Sequence, residues 1–131
     1  ALWEQDTTPA GFTWVAADAA DDNVLAFLRH PATDGAPPLL SVSNFSPVVR
    51  HHYRLDLPPT TETTTSTGAT TSTTTGTGTG TGTDIPVWQE VLNTDEARYG
   101  GGDVRNPAPI KTTESGIHLT LPPLATVWLK P

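Results

Sequence analysis

Along most of this chain apolar and polar residues alternate one by one, a period of two that predicts strands rather than helices. VLAFLR sets Val24, Ala26 and Leu28 on one face and Leu25 and Phe27 on the other. That double-sided pattern suits a strand covered on both faces. In LLSVSNF, Leu40 and Val42 alternate with Ser41 and Ser43. HYRLDL sets Tyr53, Leu55 and Leu57 against Arg54 and Asp56, and IHLTL sets Ile117, Leu119 and Leu121 against His118 and Thr120. The spacing predicts strands near residues 12–15, 24–29, 39–45, 51–57, 87–92, 109–113, 117–121 and 125–129. DAADDN, HPATDGAPP, NFSP, YGGGD and LPP supply turn chemistry between them. The best helix candidate, NTDEARYG, is cut off by Gly100, Gly101 and Gly102 and is read as one short turn at most. The fold class read from this pattern is all-β, an antiparallel β-sandwich of about seven or eight strands.

One stretch breaks the pattern. Residues 60–83, TTETTTSTGATTSTTTGTGTGTGT, are almost entirely threonine, glycine and serine. Split there, the halves would be about 57 and 47 residues, too short to bury a sufficient core without staples. The chain has no cysteine, and no Cys/His spacing of the kind structural zinc needs. The 131 residues are therefore read as a single domain, with 59–84 a low-complexity Thr/Gly insertion in a strand connection. Low hydrophobicity and abundant glycine predict disorder for it.

Fourteen acidic against seven basic side chains give a net charge of −7. With no Lys/Arg run, a nucleic-acid partner is not expected, and neither is an anionic membrane surface. The apolar runs fall far short of the roughly 20 residues a membrane-spanning helix requires. The absence of cysteine fits a reducing, cytoplasmic setting. An alanine start and the absence of methionine are what an excerpt of a longer polypeptide would show.

The residues that could carry chemistry mostly have plainer roles. Asp18, Asp21 and Asp22 lack the alternate carboxylates, the glycine and the late glutamate of a calcium loop, so they are read as a tight turn. His51 and His52 are adjacent on a strand, pointing to opposite faces. They cannot share a metal and are read as one outward and one part-buried histidine. No nucleophile elbow, phosphate loop, zinc-protease motif or reactive cysteine occurs, and no cofactor or metal is expected. Trp3, Trp14, Trp88 and Trp128, with Phe12, Phe27, Phe45, Tyr53 and Tyr99, could provide platforms for sugar rings. A core built on large rings is the favoured reading for each tryptophan, and it explains Phe12 with Trp14, two apart on one face, and Trp128. Trp3 and Tyr99, beside a chain end and a loop, are the better surface candidates.

Taken together, ALWEQDTTPAGFTWVAADAADDNVLAFLR, LLSVSNFSPVVRHHYRLDLP, WQEVLNTDEARYGGGDVRN and HLTLPPLATVWLKP resemble, in order and spacing, one known family domain. It is the C-terminal all-β domain of 1,4-α-glucan (glycogen) branching enzymes, in the α-amylase, glycoside hydrolase 13 superfamily. The resemblance covers nearly the whole chain apart from 60–83. It implies a sandwich packed against a catalytic (β/α)8 barrel of the same polypeptide. The parent enzyme would cut an α-1,4 linkage, form a covalent glycosyl intermediate and transfer it to a 6-hydroxyl of an α-glucan such as glycogen. Nucleophile and general acid/base would belong to the barrel, leaving this chain without catalytic residues. Asn93, Asp95, Tyr99, Asn106 and Trp3 are the candidates for interface or glucan contact, although turn and capping chemistry explains the Asn and Asp residues too. The sequence departs from the family pattern in the shorter IKTTESG stretch, the GGGDVRN loop and the threonine tract, which stands where a brief turn is usual.

Two other readings are compatible with the sequence. A stand-alone α-glucan-binding module would expose two or more aromatics on one strip. An extracellular stalk would use the tract as an O-glycosylated segment.

Overall fold

The computed structural model describes residues 2–58, 87–113 and 116–131, so the threonine–glycine tract lies outside the described residues. The period-two segments form eight strands: β1 (Phe12–Ala16), β2 (Val24–Arg29), β3 (Leu39–Asn44), β4 (Arg50–Leu55), β5 (Val87–Asn93), β6 (Ile110–Thr113), β7 (Gly116–Leu121) and β8 (Ala125–Lys130). Every pairing is antiparallel, in the order β1-β2-β3-β8-β5-β6-β7-β4. NTDEARYG holds a single 3-10 turn at Ala97–Tyr99, closed by Gly100 at φ 84°, and a second 3-10 turn spans Pro9–Gly11.

The strand order folds into two layers because β5 divides its partners. Val87 and Trp88 pair with β6, and Gln89 to Asn93 pair with β8 across an irregularity at Val91. The five-stranded layer is β1-β2-β3-β8-β5, and the three-stranded layer is β6-β7-β4. Between them lie Val24, Ala26, Leu28, Leu40, Val42, Val127 and Leu129 from the first, with Leu55, Ile110, Ile117, Leu119 and Leu121 from the second. Trp88 closes the core at the hand-off, 3% exposed, its indole N–H donating to Thr112 Oγ1 at 3.2 Å. Alternation thus does what a sandwich requires: one side of each strand feeds the shared core.

β4 and β5, which flank the tract, are not neighbours; β6 and β7 lie between them. Leu55 pairs with Ile117 at the start of β7, and Val87 pairs with Lys111 in β6. The end where β4 stops is therefore the end where β5 begins. Three strand spacings, on the order of 14 Å, separate them.

Two expectations change. Phe12 and Trp14 do share a face, but it is the outward one. Trp14 lies opposite Phe27, whose strand turns Ala26 and Leu28 inward, and Trp14 is 53% exposed. Of the four tryptophans only Trp88 is buried. His51 and His52 are both exposed, because β4 bulges between Arg50 and Tyr53 with His52 at φ 53°. An extra residue in a strand breaks strict alternation.

Candidate interface on the sandwich surface

The loop after β5 is built from its own buried polar side chains. Asn93, fully buried, donates through Nδ2 to Glu90 Oε1 at 3.0 Å and Val104 O at 2.8 Å. Its Oδ1 accepts the Asp95 N–H at 2.9 Å. The Asp95 carboxylate accepts the N–H groups of Gly102 and Val104, each at 2.9 Å. Asn106 donates to Glu90 Oε2 at 2.8 Å and Thr120 O at 3.0 Å, and accepts the Thr120 N–H at 2.7 Å. A loop away from the sheet ladder must satisfy its backbone in this way. Glu90 links the two asparagines, a role that nothing local in the sequence announced. Gly101 has its place because a Cβ there would stand 2.2 Å from the Asp95 carbonyl oxygen.

Outside that scaffold the loop carries charge. Arg98 reaches Glu96 at 2.6 Å, Arg105 reaches Asp103 at 2.6 Å, and the Arg98 guanidinium lies 4.7 Å from the Tyr99 ring centre. The Arg105 hydrogen bond, with help from the Ala97 N–H, holds the Asp103 carboxyl below the usual carboxylate range. Of the five candidates, Asn93, Asp95 and Asn106 therefore hold the loop together, while Tyr99 is exposed at its surface. The 93–106 loop starts where β8 begins, since the Thr94 N–H donates to Thr126 O.

Trp3 lies elsewhere. Residues 2–11 bind where β2 ends: Arg29 pairs with Asp6 and donates to Leu2 O, Gln5 donates to Pro31 O at 2.6 Å, and the His30 N–H donates to Gly11 O at 3.0 Å. The Ala32 N–H donates to Glu4 at 2.9 Å and lowers its pKa. Leu2 and Trp3 then line a shallow cleft with Leu39, Val91, Trp128 and Lys130, on the outward face of the five-stranded layer.

The turn of Asp18, Asp21 and Asp22 forms as expected, with the Asp22 N–H donating to Ala19 O. Asp22 also ties this turn to β4, accepting from Arg50 and from the Tyr53 hydroxyl, each at 3.2 Å. Burial pushes the Tyr53 pKa above its ordinary value, and the Asp22 carboxylate adds to the rise.

The fold is an eight-stranded antiparallel sandwich in which Asn93, Asp95 and Asn106 are spent on holding the 93–106 loop. The chain belongs to the alpha amylase C-terminal all-beta domain family, whose model matches residues 14–85 and 64–131. It is 56% identical, over all of its 131 residues, to 18% of the 1,4-alpha-glucan branching enzyme GlgB 2 of Streptomyces avermitilis. Over the whole chain it is 53% identical to 14% of GlgB 2 of Streptomyces coelicolor. Identity is 37% to 15% of GlgB 2 of Xanthomonas campestris pv. campestris, over 99% of the chain. The chain thus spans less than a fifth of the length of these relatives. Among the described residues no helix is long and apolar enough to cross a membrane.

Proposed function

We propose that this chain is the non-catalytic C-terminal domain of a 1,4-α-glucan branching enzyme acting in glycogen biosynthesis in the cytoplasm. In this reading residues 1–131 form one sandwich, 59–84 are an insertion within it, and catalysis belongs to a (β/α)8 barrel of the same polypeptide. The observation that carries the reading is the match of the whole chain, at 56% identity, to 18% of a branching enzyme. Identity at that level over so small a share is what a domain held in common would give. The sandwich stabilises the barrel and its surface, Trp3 and Tyr99 included, meets the barrel or the glucan passing it. Asn93, Asp95 and Asn106 act there indirectly, by fixing the loop that carries Tyr99.

The test is a branching assay on the full-length gene product, with α-1,6 linkages formed from amylose counted by proton NMR. Branch formation by the full-length protein and none by residues 1–131 alone is expected. Branching by residues 1–131 alone, or none by the full-length protein, would overturn the reading. The exposure of Trp3 and Trp14 on one layer favours a second reading, a stand-alone glucan-binding module. A change in tryptophan fluorescence of residues 1–131 at millimolar maltoheptaose would establish it.

A further inference from the structure

The connection from β2 to β3, residues 30–38, contains the chain's one Asp-Gly pair, Asp34 and Gly35. Residues 32–35 are exposed, and the Ala36 N–H donates to Thr33 O at 3.2 Å. That bond closes a β-turn with Asp34 and Gly35 at its centre. Gly35 takes φ 74°, a left-handed value that glycine adopts at no steric cost. Beyond its chain neighbours, nothing lies within 4 Å of where a Gly35 Cβ would stand. Among the described residues neither the Gly35 N–H nor the Asp34 carboxylate has a hydrogen-bond or ion-pair partner. The other aspartates differ. Asp6, Asp22, Asp56, Asp95 and Asp103 are each held by an arginine, a tyrosine or backbone N–H groups. Asp18 and Asp21 are not held, but they precede Ala19 and Asp22, whose side chains crowd the following backbone nitrogen.

We infer that this turn is a site of covalent modification, the spontaneous isomerisation of Asp34 to isoaspartate. The Gly35 backbone nitrogen attacks Cγ of the protonated Asp34 carboxyl. The new N–Cγ bond closes a five-membered succinimide, and the carboxyl hydroxyl leaves with the amide proton as water. A second water then opens the ring. Cleavage of the N–Cγ bond restores aspartate. Cleavage of the bond from the same nitrogen to the Asp34 main-chain carbonyl carbon leaves the chain running through Cβ and Cγ. Water lost is matched by water regained, with no oxidation or reduction and no change of mass. The fold accommodates the product. β2 and β3 pair in unbroken register from Val24 with Asn44 to Arg29 with Leu39, and Gln5 and Glu4 hold Pro31 and Ala32. The extra backbone carbon therefore falls at an exposed tip on which no strand pairing depends, where a chain absorbs change most readily.

Peptide mapping of the full-length protein tests the site. After several weeks at neutral pH and physiological temperature, electron-transfer fragmentation distinguishes isoaspartyl from aspartyl peptides by their backbone cleavage masses. Isoaspartate at position 34 is expected to exceed that at Asp18 and Asp21 by about tenfold or more, as the more open of the exposed turns. Asp34→Glu, which would have to close a six-membered ring, is expected to lose the signal at that position. Gly35→Ala is expected to slow it severalfold by crowding the nitrogen. Absence of isoaspartate at position 34, equal amounts at Asp18 and Asp21, or an unchanged rate in Gly35→Ala would overturn the inference. Aged and fresh samples are expected to melt at the same temperature. A melting temperature that falls in proportion to the isoaspartate formed would overturn the placing of the change at a tip the strands do not need.

Discussion

Asn44 is 1% exposed, yet its whole amide is engaged. It donates to Val48 O at 2.9 Å and Pro122 O at 2.8 Å, and accepts from the Ser46 N–H at 3.0 Å and hydroxyl at 2.7 Å. Replacing it with alanine takes this partner from the Pro122 carbonyl and the Ser46 N–H, both in buried residues, and such orphans cost more than the bonds contribute net. Asn44→Ala is expected to lower stability by about 2–4 kcal/mol, read from urea denaturation, whereas Ser43→Ala on the outward face should cost far less. Tyr53 supplies a pH signature. Its folded pKa is raised, chiefly by burial and then by Asp22, so the fold favours the protonated phenol. That contribution is complete below the unfolded value near pH 10 and is lost as pH rises through the folded value. Melting temperature should therefore fall more steeply above about pH 10 in the parent than in Tyr53→Phe. Parallel curves would remove Tyr53 from the account.

At the scale of elements, the 93–106 loop stands or falls as a unit, since Glu90, Asn93, Asp95 and Asn106 satisfy one another and the backbone around them. Gly101→Ala would push a methyl group into the Asp95 carbonyl, and a loss of about 1–3 kcal/mol is expected from such overpacking. Hydrogen exchange should quicken at the Gly102 and Val104 amides, and unchanged exchange there would contradict the scaffold. The strands were legible because period two is local: each segment carries its own alternation. Alternation shows which residues share a face, but where both faces are apolar it does not show which one is inward. Phe12, Trp14 and Phe27 were unreadable for that reason, and the bulge at His52 defeated a rule that assumes no inserted residue. Glu90 and Asn106 are 16 residues apart, and no local pattern links them. Among the contact candidates, the places of Trp3 and Tyr99 beside a chain end and a loop only weaken a core reading for them, and both are exposed.

For the whole molecule, the strand order constrains what can replace the tract. β4 and β5 stand three strand spacings apart, on the order of 14 Å, so at about 3.3 Å per residue a joining segment needs roughly five residues or more. A replacement of 60–83 by about six residues should keep the fold and raise the melting temperature slightly, through reduced loop-closure entropy. Replacing all of 56–86, from the end of β4 to the start of β5, by a two-residue turn should instead abolish cooperative unfolding. A large loss of stability with the longer replacement would show that the tract packs on the sandwich. The central claim of the proposed function is that this domain is covered by the rest of a longer polypeptide, and the apolar side that exposes Trp14 is where that cover is expected. A side-chain-resolution structure of the full-length protein measures that directly. Trp14, 53% exposed here, should be buried against residues from outside 1–131, with His51, Arg54 and His118 left in solvent. A full-length structure in which Trp14 stays half exposed, while the β4-β6-β7 face is the one covered, would contradict the account.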